Sequence, residues 1–254
     1  MLVETALRTG FRAIDTANQR KHYFEEGVGL GIAAACRGGV VQRADLFLQT
    51  KFTYQRGQDH RLPYDPAADL TTQVSQSIKS SLVHLQTDYV DSYLLHGPAS
   101  GSEWSEADSE VWEAMRKERD AGRARLLGVS NVSLEHLQQM AATHGDRPAF
   151  VQNRCFARTG WDRGVRAFCS EHNIVYQGFS LLTANAAALE HIPVLALADS
   201  LGVTPAQMIF AFARSVGMLP MTGTSDTVHM KEDLASLDLM LPPDMVKVLA
   251  QIAG

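Results

Sequence analysis

The sequence lacks the features that mark a secreted or membrane-spanning chain. It has three cysteines in 254 residues (Cys36, Cys155 and Cys169), which is too few and odd in number for a disulfide framework. Free, buried thiols in a reducing cytosol explain them better than a disulfide or a metal site. No apolar run reaches the roughly 18 residues of a membrane span. The first ten residues mix acidic and basic side chains, unlike a signal peptide.

The sequence also has no large excess of positive or negative charge. The chain has 23 Lys and Arg against 28 Asp and Glu, a net charge of −5, and its basic residues form no long cluster. A protein that binds nucleic acid or an anionic membrane usually carries a basic patch. We therefore expect neither partner. The apolar share of 45% is normal for a packed globular protein, and the length suits one large domain.

Short apolar runs alternate with helical patterns along the chain. The runs predicted as strands are 11–15, 46–52, 89–96, 124–130, 149–153, 174–180 and 217–223. Helical spacing of apolar residues predicts a helix within 69–86, and Ser133 is the expected N-cap of another. Alternation of this kind implies parallel strands joined by helical crossovers. The sequence contains no linker or composition break, so we predict a single domain over 1–254.

Two architectures fit this alternation, and a glycine-rich segment separates them. A doubly wound dinucleotide-binding sheet would have three spaced glycines directly after its first strand. The segment 27–32 resembles that motif, but Ile32 stands at the third glycine position and a polar segment precedes it. Small residues for close helix packing explain the segment better. We therefore predict an α/β fold of the (β/α)₈ TIM-barrel type, in which the irregular segment 53–69 lies over the catalytic face.

Ionisable side chains close three successive predicted strands. Asp15, Lys51 and His96 each follow an apolar run, and functional groups of such barrels collect at these strand ends. Tyr23 lies in the loop after Asp15 and can return to the same place. A lysine beside a phenol is expected to lower the pKa of the phenol, and Asp15 would hold the lysine charged. The group is suited to protonate an oxygen that becomes negative during a reduction, with His96 as a hydrogen-bond donor.

These residues resemble the catalytic tetrad of the aldo-keto reductases. The resemblance rests on Asp15-Thr16-Ala17, Tyr23, Thr50-Lys51 and Leu94-Leu95-His96, and it extends over more than 200 residues. It implies hydride transfer from a nicotinamide to the carbonyl of an aldehyde or ketone, with Tyr23 as the general acid. It also implies nicotinamide contacts at several later positions, where Phe179 would stack on the ring and Ser180 would contact the pyrophosphate. The positions expected to hold the carboxamide are Ser130, Asn131 and Gln152.

The sequence departs from the family in three places. Tyr23 follows Asp15 by eight residues, where about five are usual, and the neighbouring His22 is interpreted as solvated. In the segment after the last strand, His229 stands where an arginine grips the 2′-phosphate of NADP(H). The other residues expected to contact the nucleotide here are Thr224, Ser225, Lys231 and Asp233. NADPH is the expected cofactor, with NADH possible and a weakened preference between the two.

The third departure concerns the start of the chain. The family's N-terminal hairpin and first strand have no counterpart, so we count seven strands. A gap is expected between the strands at 11–15 and 217–223. We expect Trp161 to line the substrate pocket, together with the tail of the chain after Pro242.

Two other functions fit part of the pattern. Lys51 at a barrel strand end also suits a Schiff-base aldolase or lyase, with Asp15 or Tyr23 as the proton shuttle. A catalytically weak, nicotinamide-sensing regulatory subunit would keep the fold and bind the cofactor.

Overall fold

The fold is known from a computed structural model that describes residues 2–101 and 103–252. The chain forms two compact units, 1–150 and 151–254, which are described in turn. The strands of the first unit are β1 (Ala13–Asp15), β2 (Phe47–Phe52), β3 (Val90–Leu95) and β4 (Ala124–Ser130). Its helices are α1 (Leu2–Thr9), α2 (Glu25–Arg37), α3 (Leu70–Leu85), α4 (Glu106–Asp120) and α5 (Leu134–His144).

The second unit continues the alternation. Its strands are β5 (Phe150–Arg154), β6 (Val175–Phe179) and β7 (Met218–Pro220). Its helices are α6 (Arg163–Glu171), α7 (Ala186–Leu189), α8 (Ile192–Leu201), α9 (Pro205–Ser215), α10 (Thr227–Ala235) and α11 (Pro243–Ala250). Strand β6 pairs in parallel with β7. The predicted count of seven strands is confirmed for the part of the chain that the structure describes. The single domain stays a prediction.

The central strands of the first unit are buried on both faces. Neighbouring strands from β1 to β4 pair in parallel and in chain order. All six residues of β3 are buried, as are five of the six in β2. Parallel sheets covered by helices have this continuous burial. Because parallel strands end at the same edge, Asp15, Lys51 and His96 are delivered to one place.

Helix α2 packs against α3 without room for a side chain at Gly29. A Cβ built on Gly29 would lie 2.1 Å from the carbonyl oxygen of His84 and 2.9 Å from the Cα of Leu85. At Gly31 a Cβ would lie 2.8 Å from the Cβ of Val3. The glycine-rich segment therefore serves close helix packing, as predicted.

The segment 53–69 is held against the loop that follows β1. The hydroxyl of Tyr64 donates to the carbonyl of Thr53 at 2.8 Å, and the side-chain amide of Gln58 donates to the carbonyl of Asn18 at 2.7 Å. A 3₁₀ turn at Gln55–Gly57 shortens the segment further. These contacts place it at the edge where the strands end.

Trp161 is a core residue of the second unit, and the expectation that it lines a pocket is wrong. Its side chain is 1% exposed, its indole N–H donates to the carbonyl of Leu249 at 3.1 Å, and its ring lies 5.0 Å from that of Phe212. A large apolar side chain with a satisfied N–H stabilises a core.

Three further observations bear on the class of protein. The cysteines are free thiols, and Cys155 and Cys169 are buried. Within residues 2–101 and 103–252, no single helix is long and apolar enough to cross a membrane. Helices α8 and α9 together have the length and composition of a membrane span, but the chain bends by 95° between them. In the same residues no group of three His, Cys, Asp or Glu side chains could hold a metal ion.

Candidate active site

An ion pair between Asp15 and Lys51 forms the centre of the site. Asp15 ends β1, and its carboxylate oxygens lie 2.7 and 2.6 Å from Lys51 Nζ on β2. The third ammonium hydrogen is donated to the carbonyl of Thr16 at 2.9 Å. The Lys51 side chain is fully buried. A buried charge is tolerated when it is paired and hydrogen-bonded, and here all three donors of the ammonium are used.

Gln49 supports this pair from the same strand. Its side-chain amide donates to Asp15 Oδ1 at 2.7 Å. Successive side chains of a strand alternate between faces, so Gln49 and Lys51 lie on the same face of β2. Asp15 therefore receives hydrogen bonds from two residues of its neighbouring strand.

His96 follows β3 and is fixed at both its backbone and its ring. Its N–H donates to the carbonyl of Phe52 at 2.8 Å, and its Nδ1 lies 2.7 Å from the hydroxyl oxygen of Thr53. Burial, with a smaller contribution from the nearby positive charge of Lys51, lowers the pKa of His96 to about 4. The imidazole is therefore neutral at physiological pH and carries one N–H.

Tyr23 lies beside His96 and Lys51 despite its long separation from Asp15. Its ring centroid is 5.8 Å from that of His96, and Lys51 Nζ is 5.3 Å from the same centroid. The neighbouring His22 is exposed. The structure thus brings together the three residues predicted from the strand ends and Tyr23, predicted from the loop after β1.

The predicted effect of Lys51 on Tyr23 is wrong in direction. Burial raises the pKa of Tyr23 to about 12, and the negative charge of Asp15 contributes to the rise. The charge of Lys51 is already balanced by Asp15, so it does not offset the loss of solvation of the phenolate. Tyr23 holds its proton throughout the physiological range.

Ser130 and Asn131 follow β4 at the same edge of the first unit. Ser130 is fully buried, and Asn131 adopts a left-handed backbone with φ 56°. The Asn131 amide donates to the carbonyl of His96 at 2.7 Å and lies 3.1 Å from Ser130 Oγ. Within the described residues, nothing donates a hydrogen bond to Asn131 Oδ1, which leaves one acceptor available to a ligand.

Three predicted residues lie on or directly after the strands of the second unit. Gln152 is buried on β5, and its amide donates to the side chain of Gln177 on β6 at 2.9 Å. Phe179 ends β6, and the guanidinium of Arg154 lies 5.7 Å from its ring centroid. Ser180 follows with φ 56°. A left-handed residue directly after a strand turns the chain sharply, which ends β6 at Phe179.

The predicted nucleotide segment surrounds the start of α10. The N–H of Asp226, the N-cap residue, donates to Thr224 Oγ1 at 3.1 Å. Ser225 and His229 are exposed. Asp233 is 9% exposed and accepts the hydroxyl of Thr222 at 2.6 Å, and burial raises its pKa. Asp233 is thus engaged inside its own unit, whereas His229 is open to solvent.

Three contributors to the site were missed from the sequence. They are the Gln49 amide, the Thr16 carbonyl and the Thr53 hydroxyl. Gln49 could have been found, because it precedes Lys51 by two residues and strand alternation places it on the same face. A backbone carbonyl has no sequence signal. The Thr53–His96 contact joins two loops 43 residues apart, and no local pattern indicates it.

Parallel strands that alternate with helices, with ionisable groups at the strand ends, are the arrangement of an α/β enzyme. The model of the aldo/keto reductase family matches residues 1–253. An aldo-keto reductase of Mycolicibacterium vanbaalenii is 32% identical over 248 residues, which are 97% of this chain and 80% of that protein. Methylglyoxal reductase DkgA of Escherichia coli is 28% identical over 251 residues, 98% of this chain and 82% of that protein.

The solved structures agree with the family. The crystal structure of an aldo/keto reductase from Brucella melitensis has a TM-score of 0.81 and 27% identity, and the match covers 98% of this chain and 87% of that one. The chain belongs to the aldo/keto reductase family, whose members are NAD(P)H-dependent oxidoreductases. The predicted α/β fold class and the general function of carbonyl reduction are confirmed at this level.

Proposed function

We propose that this chain reduces an aldehyde or ketone to an alcohol with NADPH, or less readily NADH, as the hydride donor. The observation that carries the proposal is the grouping of Tyr23 and His96 around the buried Asp15–Lys51 pair. A bound nicotinamide would supply a hydride to the carbonyl carbon. The residues of the chain then have to position the carbonyl oxygen and protonate it.

Tyr23 is the proton donor in this proposal. As the carbonyl carbon gains a hydride, its oxygen becomes an alkoxide, which is a far stronger base than a phenolate. Proton transfer from Tyr23 to that oxygen is therefore favourable even when burial raises the pKa of the phenol. Because the pKa of the phenol is raised, the phenolate left on Tyr23 is a strong base that regains a proton readily. Solvent restores the proton after the alcohol leaves.

His96 orients the substrate oxygen. Because burial keeps the imidazole neutral, its one proton is placed by the hydrogen bond at the other nitrogen. The Thr53 hydroxyl donates to Nδ1 in this proposal, so Nε2 carries the proton and donates to the carbonyl. A neutral donor polarises the carbonyl without competing with Tyr23 for the role of acid.

The available groups fit a nicotinamide. The carboxamide of the cofactor has both a donor and an acceptor, and Asn131 Oδ1 is an acceptor without a donor among the described residues. Ser130, Gln152, Phe179 and Ser180 are the further proposed contacts to the nicotinamide half. Thr224, Ser225, His229 and Asp233 are proposed near the adenosine phosphate. Lys231 is proposed with them, and NADPH is proposed over NADH because two basic side chains, His229 and Lys231, lie in this segment among several hydroxyls.

The Schiff-base alternative is disfavoured by the state of Lys51. A Schiff base needs a neutral amine that a substrate can reach. Lys51 Nζ is fully buried and donates to three oxygens, which leaves a substrate carbonyl no approach to it. Resemblance to methylglyoxal reductase DkgA also favours reduction, and methylglyoxal is a sensible first substrate.

Replacing Tyr23 by Phe tests the proposal. We expect turnover of methylglyoxal and related aldehydes to fall by ~10²–10⁴, the usual effect of losing a positioned general acid. The affinity for NADPH, measured by fluorescence titration, should stay nearly unchanged. A variant that retains more than about a third of wild-type turnover, with chemistry rate-limiting, would contradict the role of Tyr23.

A further inference from the structure

A buried glutamate outside the tetrad has no role in the proposed chemistry. Glu25 begins α2 and is 3% exposed. Its Oε1 accepts the hydroxyl of Thr50 at 2.5 Å, and its Oε2 lies 3.1 Å from Nδ1 of His84 on α3. Burying a carboxylate costs free energy, and hydrogen bonds to its oxygens are needed to offset that cost. Both of its oxygens are used here.

Thr50 connects this glutamate to the catalytic strand. Thr50 precedes Lys51 on β2 and is fully buried. Gln49 and Lys51 both reach Asp15, so they define one face of β2, and Thr50 lies on the opposite face. Glu25 therefore holds β2 from the helix side, one residue away from the lysine that faces the site.

The same glutamate lies two residues after Tyr23. Tyr23 is also held from its N-terminal side, because its own backbone N–H donates to the carbonyl of Gln19 at 2.9 Å. Tyr23 is thus confined between an anchor at Gln19 and an anchor at Glu25. A loop of eight residues after Asp15 has more conformations available than a shorter one, and each anchor removes some of them.

We propose that Glu25 is a positioning residue that fixes Tyr23 relative to Lys51 through its hydrogen bond to Thr50. The proposal rests on the proposed role of Tyr23 as proton donor. The contact joins the loop that carries the phenol to the strand that carries the ammonium. Loss of the Glu25–Thr50 hydrogen bond leaves all four tetrad side chains present but displaces the Tyr23 phenol from Lys51.

Two pairs of variants test the contact from both sides. Glu25→Ala and Thr50→Val remove it, and we expect each to lower kcat by about ten- to hundredfold, because small displacements of a reacting group have effects of this size. KM and the NADPH dissociation constant should change by less than about threefold. Glu25→Gln keeps an acceptor and Thr50→Ser keeps the hydroxyl, so both should retain most of the activity. The double variant Glu25→Ala/Thr50→Val should be no slower than either single variant.

Glu118 provides the matched control. It is another buried glutamate, 4% exposed on α4, and it pairs with Arg123. Glu118→Ala should lower thermal stability and leave kcat of the folded enzyme unchanged. An equal loss of kcat in Glu118→Ala and Glu25→Ala would show a merely structural role and overturn the proposal.

The outcomes separate this inference from the proposed function. If Tyr23→Phe stays active, the proposed function fails. If Tyr23→Phe is inactive while Thr50→Val and Glu25→Ala have wild-type kcat, the positioning role of Glu25 fails. Should Glu25→Ala not fold, the nearly isosteric pair Thr50→Val and Thr50→Ser decides. The contact is supported if kcat falls in Thr50→Val and is retained in Thr50→Ser. Equal kcat in the two variants overturns it.

Discussion

Burial acts on the ionisable residues of the site in different ways. Lys51 is the most buried of them, and its side-chain nitrogen donates to three oxygens. His96 has a hydroxyl as its ring partner, so burial lowers its pKa to about 4. Tyr23 loses solvation without gaining a donor, so its pKa rises to about 12. Burial disfavours the charged form of both groups, which lowers the pKa of the base His96 and raises that of the acid Tyr23.

The lowered pKa of His96 predicts a pH dependence of stability. Between about pH 4 and 6.5 the unfolded chain binds a proton at His96 that the folded chain does not. The stabilisation is therefore present above 6.5 and is lost as the pH falls towards 4. We expect the loss in free energy of unfolding between pH 7 and pH 5 to be smaller by about 2 kcal/mol in His96→Gln than in the wild type.

Urea unfolding at the two pH values measures this difference. His60 is exposed, so His60→Gln should keep the wild-type response and serves as the control. The same loss in His96→Gln as in the wild type would show that His96 titrates alike in the folded and unfolded chains.

Residue identity predicted the tetrad but not the contacts that hold it. Asp15, Lys51 and His96 could be found because parallel strands end at one edge, which is a property of the fold class. The Thr50–Glu25 and Thr53–His96 contacts depend on how loops and helices meet in space. The direction of the Tyr23 pKa could not be predicted either, since it depends on burial and on Asp15 having neutralised Lys51.

At the scale of elements, the closeness of α2 to α3 gives a sharp prediction. Gly29→Ala should lower the free energy of unfolding by ~1–3 kcal/mol, because the new Cβ meets the backbone of His84 at 2.1 Å and backbone atoms cannot move aside cheaply. This outweighs the helix propensity that alanine gains over glycine. Thermal or urea unfolding measures the change.

Gly27 in the same helix is the matched control. A Cβ there meets the ring of Phe24 at 2.5 Å, and that side chain is 68% exposed and free to turn away. Gly27→Ala should therefore be neutral, or stabilising by up to ~1 kcal/mol. Equal stability of the two alanine variants would show that α2 and α3 are not in close contact at Gly29.

Elements were more predictable than their ends. The seven strands among the described residues lie within the predicted runs or one residue beyond them, because short buried runs are a strong signal. Ser133 is the N-cap of α5, as predicted, and its hydroxyl accepts the N–H of His136. Strand β7 is shorter than its run of 217–223. It ends at Pro220, a residue that has no N–H to donate to a strand ladder.

Whole-molecule charge bears on the choice of cofactor. The chain carries a net charge of −5, and the segment 222–233 contains three acidic residues with His229 and Lys231. A 2′-phosphate therefore approaches a segment without excess positive charge. Arginine would offer a planar, permanently charged fork that binds phosphate bidentately, which histidine cannot. A modest preference for NADPH over NADH is the expected outcome.

Binding to the folded state alone stabilises the whole molecule, so cofactor choice can be measured without turnover. The stabilisation grows as RT ln(1 + [L]/Kd), so tenfold tighter binding adds about 1.4 kcal/mol at high ligand concentration. His229→Arg should tighten NADPH by ~1–3 kcal/mol through a charge-assisted pair with the 2′-phosphate. In thermal unfolding, the NADPH-induced rise in Tm should then grow by several degrees, at about 2–4 °C per kcal/mol for a chain of this size. The NADH-induced rise should not change.

His191→Arg, an exposed position in the same unit, controls for added positive charge. An equal gain with both nucleotides, or none with either, would place the 2′-phosphate out of reach of His229.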